Sequence, residues 1–386
     1  MGKLQAWLIG FFFFSPLVLA QQNGDFLALQ RRVIEVFEEN KSAVVRVKGA
    51  YEQALDSGEK DVILKIGTGF FISKQGHILA NATRTQGAKR IWVEHQGVDY
   101  AAEFLGGDAV NNIALLRLVV LPENFSVIRM SESRELPRLG TTAIAISYYL
   151  DFEAAPSVGL VQNYARRYGN SIFPTTFLRM SISNDLGEGG SPILDLNGRL
   201  VGMMIAALPD IRSSFALPSR AVRRIRDALL FEGEVKYSWI GIEVSREVDP
   251  ETGQVLVNEV IEGTPAFEAG IRAEDALLQV GEFPIREVED YPNASFFIRP
   301  GQFVTVEVMR AGEVLTFNLR VEERPDNEPL IVTNQPDAIP SPLAPPAETS
   351  PEEPLSDPSP RLPDDQSSEP ESVGEEDSGP PVPQNR

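Results

Sequence analysis

The sequence predicts a mainly β protein, a sandwich or barrel, followed by a smaller unit of mixed strands and helices. Three observations carry that prediction. From Ala43 to Ala206 the chain runs through many short β-like apolar segments with little helical periodicity. Gly, Asn, Asp and Pro separate those segments, as turns between strands require. A helical stretch at Ala221–Phe231, stopped by Gly233, then precedes a second series of strand-like runs between Val235 and Glu323.

The elements follow in order. Residues 1–20 read as a secretory signal: Lys3 supplies the positive start, Trp7–Leu19 the apolar run, and Val18-Leu19-Ala20 a small-residue cleavage site. An uncleaved membrane anchor is the alternative, but the run is short for a span and Gln21-Gln22 follow at once. Phe26–Glu39 places Leu27, Leu29, Val33, Ile34, Val36 and Phe37 near helical spacing. Strands are expected at Val62–Ile66, Gly69–Ser73, His77–Ala80, Ile91–Glu94, Ala114–Val120, Thr142–Ser147, Thr176–Ile182 and Arg199–Ala206. The first domain accordingly occupies residues 21–234. In the second domain, residues 235–323, strands are expected at Ile240–Val244, Val255–Val260, Ala276–Val280, Phe303–Val308 and Val314–Val321. Helices are expected there at Pro265–Gly270 and Val288–Ile298. Residues 324–386 are rich in Pro, Glu, Asp and Ser and poor in aromatics. Such a segment buries too little apolar surface to offset its ordering entropy, so it reads as disordered, a spacer or a tether for partners.

Composition removes several kinds of function. The chain carries a net charge of -20 over 386 residues, with no basic balance to neutralise phosphate, so no nucleic-acid partner is expected. Much of that charge sits from Pro325 to the end, where fourteen acidic residues face only Arg361 and Arg386. Without cysteine there is no disulfide, thiol nucleophile or Cys-ligated zinc. With two histidines, His77 and His95, there is no histidine-rich metal site, and no cofactor is expected. Each histidine reads as a solvent-facing loop or strand residue.

The chemistry-bearing motifs lie in three blocks. Gly67-Thr68-Gly69-Phe70-Phe71-Ile72-Ser73 leads through a Lys74-Gln75-Gly76 turn into His77-Ile78-Leu79-Ala80-Asn81. Glu103-Phe104-Leu105-Gly106-Gly107-Asp108 leads into Asn111-Asn112-Ile113-Ala114-Leu115-Leu116. The third block is Gly187-Glu188-Gly189-Gly190-Ser191-Pro192, continuing to Gly202. In sequence and order these blocks resemble the HtrA (DegP-like) family of exported serine proteases, over roughly residues 30–323. The resemblance implies a trypsin-like double six-stranded β-barrel followed by a PDZ domain.

Acyl transfer by such a fold needs a hydroxyl nucleophile, an imidazole base, a carboxylate to orient it and N–H groups for the oxyanion. The resemblance places the family's His on Thr83, its Asp on Asn112 and its Ser on Gly189. All three roles are vacant, which points to a pseudoprotease. Ser191, two residues on, is the alternative nucleophile, although Pro192 fixes the register against it. A serine without an adjacent base is also a poor nucleophile. Gly187 and Gly189 are candidates for an oxyanion-like loop, or simply for a tight turn.

In the second unit, Tyr237-Ser238-Trp239-Ile240-Gly241-Ile242 resembles the carboxylate-binding loop and first strand of a PDZ domain. Trp239, Ile240 and Gly241 are the candidate N–H donors, and Ile242 opens the strand to which an extended peptide would add. The expected function is that of an exported periplasmic or envelope protein binding polypeptide segments or protein C-termini. It would act as chaperone, adaptor or regulator, with an active HtrA-type protease among its candidate partners. The resemblance also implies a homotrimer. The competing readings are a serine endopeptidase acting at Ser191, and a structural envelope protein that uses neither cleft.

Overall fold

The computed structural model describes residues 16–54, 60–168, 171–182, 188–208 and 213–325. Most of the predicted leader and the tail beyond Pro325 lie outside the described residues. The first helix, α1 (Pro16–Asn40), starts ten residues before the expected Phe26 and runs through the expected cleavage position after Ala20. Among the described residues, no helix is long and apolar enough to cross a membrane. Val36 of α1 is fully buried, whereas Phe26, Leu27 and Ile34 are exposed.

Six strands close the first barrel: β1 (Val44–Ala54), β2 (Lys60–Phe71), β3 (His77–Ala80), β4 (Arg90–His95), β5 (Val98–Asp108) and β6 (Ile113–Leu118). They join in the order β1-β2-β3-β6-β5-β4, and β4 pairs back on β1 with Val47 opposite Val93. One turn of helix, α2 (Ala82–Thr85), follows β3. The second barrel uses β7 (Arg129–Met130), β8 (Thr142–Ser147), β9 (Ala155–Tyr168), β10 (Ser171–Met180), β11 (Pro192–Leu194), β12 (Arg199–Leu208) and β13 (Ser213–Pro218). Here β11-β8-β9-β10-β13-β12 form a ring that the β11–β12 pairing closes, with β7 added parallel to β12. The double six-stranded barrel expected from the resemblance is thus present.

Why these strands carry continuous apolar runs follows from their two buried faces. Ala143 and Ala145 of β8 join a cluster drawn from second-barrel residues alone, with Val161, Leu178, Met180 and Ile193. Val45, Val47, Phe71, Ile78 and Leu116 form the equivalent cluster of the first barrel. The alternate residues, among them Ile144, Ile146, Val44, Phe70 and Leu115, meet in one larger cluster shared by both barrels. Helix α3 (Ser219–Phe231) lays Val222, Ile225 and Leu229 on that shared core. Burial on both faces erases the period-two signal that a half-exposed strand would show.

The last unit consists of β14 (Ser238–Trp239), β15 (Ile242–Val244), β16 (Val255–Val260), α4 (Pro265–Ala269), β17 (Ala276–Val280), β18 (Phe283–Pro284), α5 (Asp290–Phe297), β19 (Phe303–Arg310), β20 (Glu313–Arg320) and β21 (Glu322–Glu323). Its main sheet runs β15-β16-β17-β19-β20, which leaves β15 on an edge. A bidentate pair stitches β19 to the turn before β17. Arg310 Nε and one terminal nitrogen each lie 2.6 Å from the carboxylate of Asp275, itself 1% exposed. Planar guanidinium donors suit a buried carboxylate because both of its oxygens are satisfied at once.

Candidate functional site: the inter-barrel cleft and the carboxylate loop

The fold brings the three expected catalytic positions together. Strand β3 ends at Ala80 and delivers Thr83 on α2; Asn112 immediately precedes β6; Gly189 lies in the loop before β11. The Thr83 N–H donates to Asn112 Oδ1 at 2.9 Å, and Asn112 Nδ2 donates to the Ile205 carbonyl of β12 at 2.9 Å. Asn112 is therefore a buried strut from the first barrel to the second. The Gly189 carbonyl accepts from the Thr68 N–H at 2.9 Å. A Cβ at Gly189 would lie 2.7 Å from Asn81 Nδ2, so any side chain there requires Asn81 to move. Thr83 offers a hydroxyl, Asn112 an amide and Gly189 no side chain at all.

Ser191 is fully buried. Its hydroxyl donates to the Glu188 carbonyl at 2.5 Å and lies 2.8 Å from Ser147 Oγ. The imidazoles are occupied elsewhere: His77 Nδ1 lies 2.8 Å from Ser73 Oγ, and His95 Nε2 lies 3.0 Å from the Ser42 carbonyl. That carbonyl only accepts, so His95 carries its proton on Nε2. His95 corrects the sequence expectation, because it is 3% exposed and stands edge-on to Phe71. Its hairpin turn at Gln96-Gly97 is exposed, but the strand alternation turns the imidazole inward. Burial pushes both histidines below the ordinary imidazole range, and the Arg117 charge pushes His77 further the same way. Gly187, half of the expected oxyanion-like loop, lies outside the described residues. The neighbouring N–H groups of Gly190 and Ser191 already donate to the Met204 and Glu188 carbonyls.

The carboxylate loop is built at the junction of β14 and β15. Trp239 pairs with Glu322 of β21, and Ile242 pairs with Val260 of β16. Between them, Gly241 adopts φ +83°. The Ile240 carbonyl accepts from the Ala266 N–H at the start of α4, and the Gly241 carbonyl from Ile261, both at 2.9 Å. Trp239, Ile240 and Ile242 are buried, so their side chains belong to the core of this unit.

Sequence reasoning missed how tightly this unit is gripped by the barrels. Ile172 of β10 is buried with the apolar core of the smaller unit, which includes Ile240, Ile242, Tyr291 and Ala294. Thr175 Oγ1 donates to Asn293 Oδ1 at 3.0 Å, and Arg166 pairs with Glu287 at 2.6 Å and Asp290 at 2.5 Å. Arg167 pairs with Glu289. On the other side of α5, the Arg224 guanidinium lies 4.6 Å from the Phe296 ring centroid. The Tyr237 hydroxyl, next to the loop, lies 2.7 Å from both Asp108 Oδ2 and Asn111 Nδ2. Burial, with the Asp108 charge adding to it, pushes the Tyr237 phenol well above its usual range. These contacts join residues many tens of positions apart, and most of them more than a hundred, which no local pattern encodes.

A double barrel with a cleft of this geometry, followed by an edge-strand unit with a glycine-turned loop, defines a trypsin-like peptidase fold joined to a PDZ domain. The trypsin-like peptidase domain family model matches residues 67–203, and the PDZ domain model matches residues 238–321. The chain is 26% identical over 276 residues to a "Probable periplasmic serine endoprotease DegP-like" of Chlamydia trachomatis, covering 68% of this chain and 55% of that protein. It is 27% identical over 289 residues to a protein of the same description from Pseudomonas fulva, covering 72% of this chain and 59% of that one. The chain thus spans little more than half the length of these curated relatives. Among solved structures, the HtrA-type protease AlgW with decapeptide aligns with a TM-score of 0.63 at 19% identity, over 76% of this chain and 99% of that one. The serine endoprotease from Yersinia pestis aligns at 0.57 and 23% identity, over 76% and 98%. The chain thus combines a trypsin-like peptidase domain with a PDZ domain and is similar to HtrA-type, DegP-like proteases in sequence and fold.

Proposed function

We propose that this protein is an exported HtrA-like pseudoprotease that holds polypeptide segments or C-termini at its PDZ loop instead of cutting them. The observation that carries this reading is the chemistry of the cleft. Thr83, Asn112 and Gly189 meet there without a base, a carboxylate or a nucleophile, while Ser191 is buried on a carbonyl with no imidazole in reach. Loss of a serine-protease nucleophile or base costs on the order of a millionfold in kcat, so one vacancy alone would be crippling. The binding half of the proposal is supported by β15, an edge strand to which an extended peptide can add, and by the left-handed Gly241 turn immediately before it. Relatives described as periplasmic support an envelope location, with a role as chaperone, adaptor or regulator of protein quality control. An active HtrA-type protease and a homotrimeric assembly fit the same reading.

The test joins a fluorophosphonate probe with degradation of unfolded casein by the full-length protein. The expected result is no stoichiometric labelling and no casein breakdown beyond that of Ser191→Ala. Stoichiometric labelling that disappears in Ser191→Ala would overturn the proposal. Peptides with free C-termini are expected to bind saturably, and their amidated counterparts at least about tenfold more weakly, because loop N–H groups favour a charged carboxylate.

A further inference from the structure

Beside Thr83 the cleft holds a cation that has no ion-pair partner among the described residues. Arg84, next to Thr83 on α2, is half-buried, and among the described residues no carboxylate lies within ion-pair distance of it. Arg46 and Arg310 are matched with acids, at 2.7 Å from Glu94 and 2.6 Å from Asp275, whereas buried Arg224 rests on the Phe296 ring and donates to the Lys236 carbonyl.

Two glycines show where Arg84 lies. A Cβ at Gly67 would sit 3.0 Å from Arg84 Cγ and 3.3 Å from the Gly189 carbonyl oxygen, so the arginine stem crosses β2 beside the vacant nucleophile position. A Cβ at Gly49 would sit 2.2 Å from the Arg84 carbonyl oxygen and 3.2 Å from Tyr51 Cε2, so α2 rests directly on β1 next to Tyr51. A second cation, Lys65, lies over the Tyr51 ring. Lys65 pairs across from Gly49, and its Nζ lies 4.4 Å from the Tyr51 ring centroid. It too has no carboxylate partner among the described residues. Tyr51 is anchored by a 3.1 Å bond from its hydroxyl to the Gln86 carbonyl at the end of α2.

We propose that Arg84 and Lys65, with Tyr51 between them, form a subsite in the cleft for a carboxylate-bearing polypeptide segment. A half-buried guanidinium loses hydration without gaining an ion pair, a cost that an incoming carboxylate offsets through charge-assisted bonds. Burial depresses the Arg84 guanidinium below its ordinary range, in keeping with a charge that lacks its counter-ion. The tyrosine face keeps the lysine close through cation–π attraction while leaving its three donors for a ligand. The cleft would then recognise acidic side chains of a bound segment, separately from the terminal carboxylate at the PDZ loop. The proposal goes beyond the PDZ reading and does not depend on it.

The test uses the full-length protein and a short peptide rich in Asp and Glu, acetylated at its N-terminus and amidated at its C-terminus so that the PDZ loop has no carboxylate to take. Its Asn/Gln counterpart is the control. The acidic peptide is expected to bind at least about tenfold more tightly than the control and to weaken as salt is raised. Arg84→Gln is expected to lower affinity about tenfold, Arg84→Lys to retain part of it, and Lys65→Gln to lower it less. Hydrogen exchange on binding is expected to slow in residues 49–51, 65–68 and 83–86. Equal binding of both peptides, unchanged affinity in both glutamine variants, or protection confined to residues 239–244 would each overturn the proposal. Lys65 lies on a partly exposed strand end, so its variant reports on the site even where Arg84→Gln perturbs folding.

Discussion

Asn112→Asp, which places a carboxylate where the resemblance implies one, is expected to destabilise the protein by about 2–4 kcal/mol at neutral pH. Asn112 has φ +54°, a left-handed conformation that Asn and Asp both tolerate, so the exchange leaves backbone strain nearly unchanged. What changes is one donor. The amide gives a hydrogen to the Ile205 carbonyl and takes one from the Thr83 N–H, and only the second role survives in a carboxylate. The ionised aspartate would set an unpaired negative charge against a carbonyl oxygen at a site 2% exposed. Its folded pKa would therefore rise above the unfolded value of about 3.9. The sign follows: below that unfolded value the carboxyl is protonated in both states and can itself donate to Ile205, so the deficit is small. As pH rises through the folded pKa, stability relative to the wild type is lost. Urea midpoints of variant and wild type at pH 7 and about pH 4 measure this directly. Equal midpoints at pH 7 would show that the amide is not the inter-barrel strut described here.

That strut also illustrates what a sequence can convey. Asn112 is legible as the position where the resemblance places an acid, because its block, Asn111-Asn112-Ile113-Ala114-Leu115-Leu116, keeps a familiar order. Its second partner, Ile205, lies 93 residues away on another barrel and has no local signature. Strand β8 was found at its true bounds, Thr142–Ser147, because both faces are buried and every residue is small or apolar. Strand β9 was missed because it is largely exposed and carries Pro156, Gly159, Arg166 and Arg167 where an alternating apolar face would be sought. Helix α2 is a single turn, too short for periodicity to register, and it carries both Thr83 and Arg84. The positions where the resemblance places catalytic groups are therefore legible in the sequence, while the neighbouring cation is not. Arg84 gains meaning only from the absence of an ion-pair partner among the described residues and from two glycines in other strands that make room for it.

The carboxylate loop gives the other large expected effect. Gly241→Ala is expected to weaken binding of a free-C-terminus peptide by at least about a hundredfold and to destabilise the PDZ domain by about 2–4 kcal/mol. The left-handed φ of +83° alone costs alanine about 1–2 kcal/mol. The new methyl would also lie 2.1, 2.2 and 2.5 Å from Oγ1, Cβ and Cγ2 of Thr264, well inside contact distance. Thr264 cannot readily yield, because it is buried and its hydroxyl donates to the Ile261 carbonyl at 2.6 Å. The backbone must move instead. The movement falls on the Gly241–Ile261 and Ile240–Ala266 hydrogen bonds that shape the loop. Fluorescence anisotropy with free and amidated C-termini reads out the result, with thermal unfolding as the check on folding. If the variant stays folded and binds the free terminus as tightly as the wild type, the Gly241 turn is not the carboxylate site. If it loses that binding yet keeps its affinity for the amidated acidic peptide, the loop and the Arg84 cleft are two independent holds on one polypeptide, as a protein that retains its clients instead of cleaving them would require.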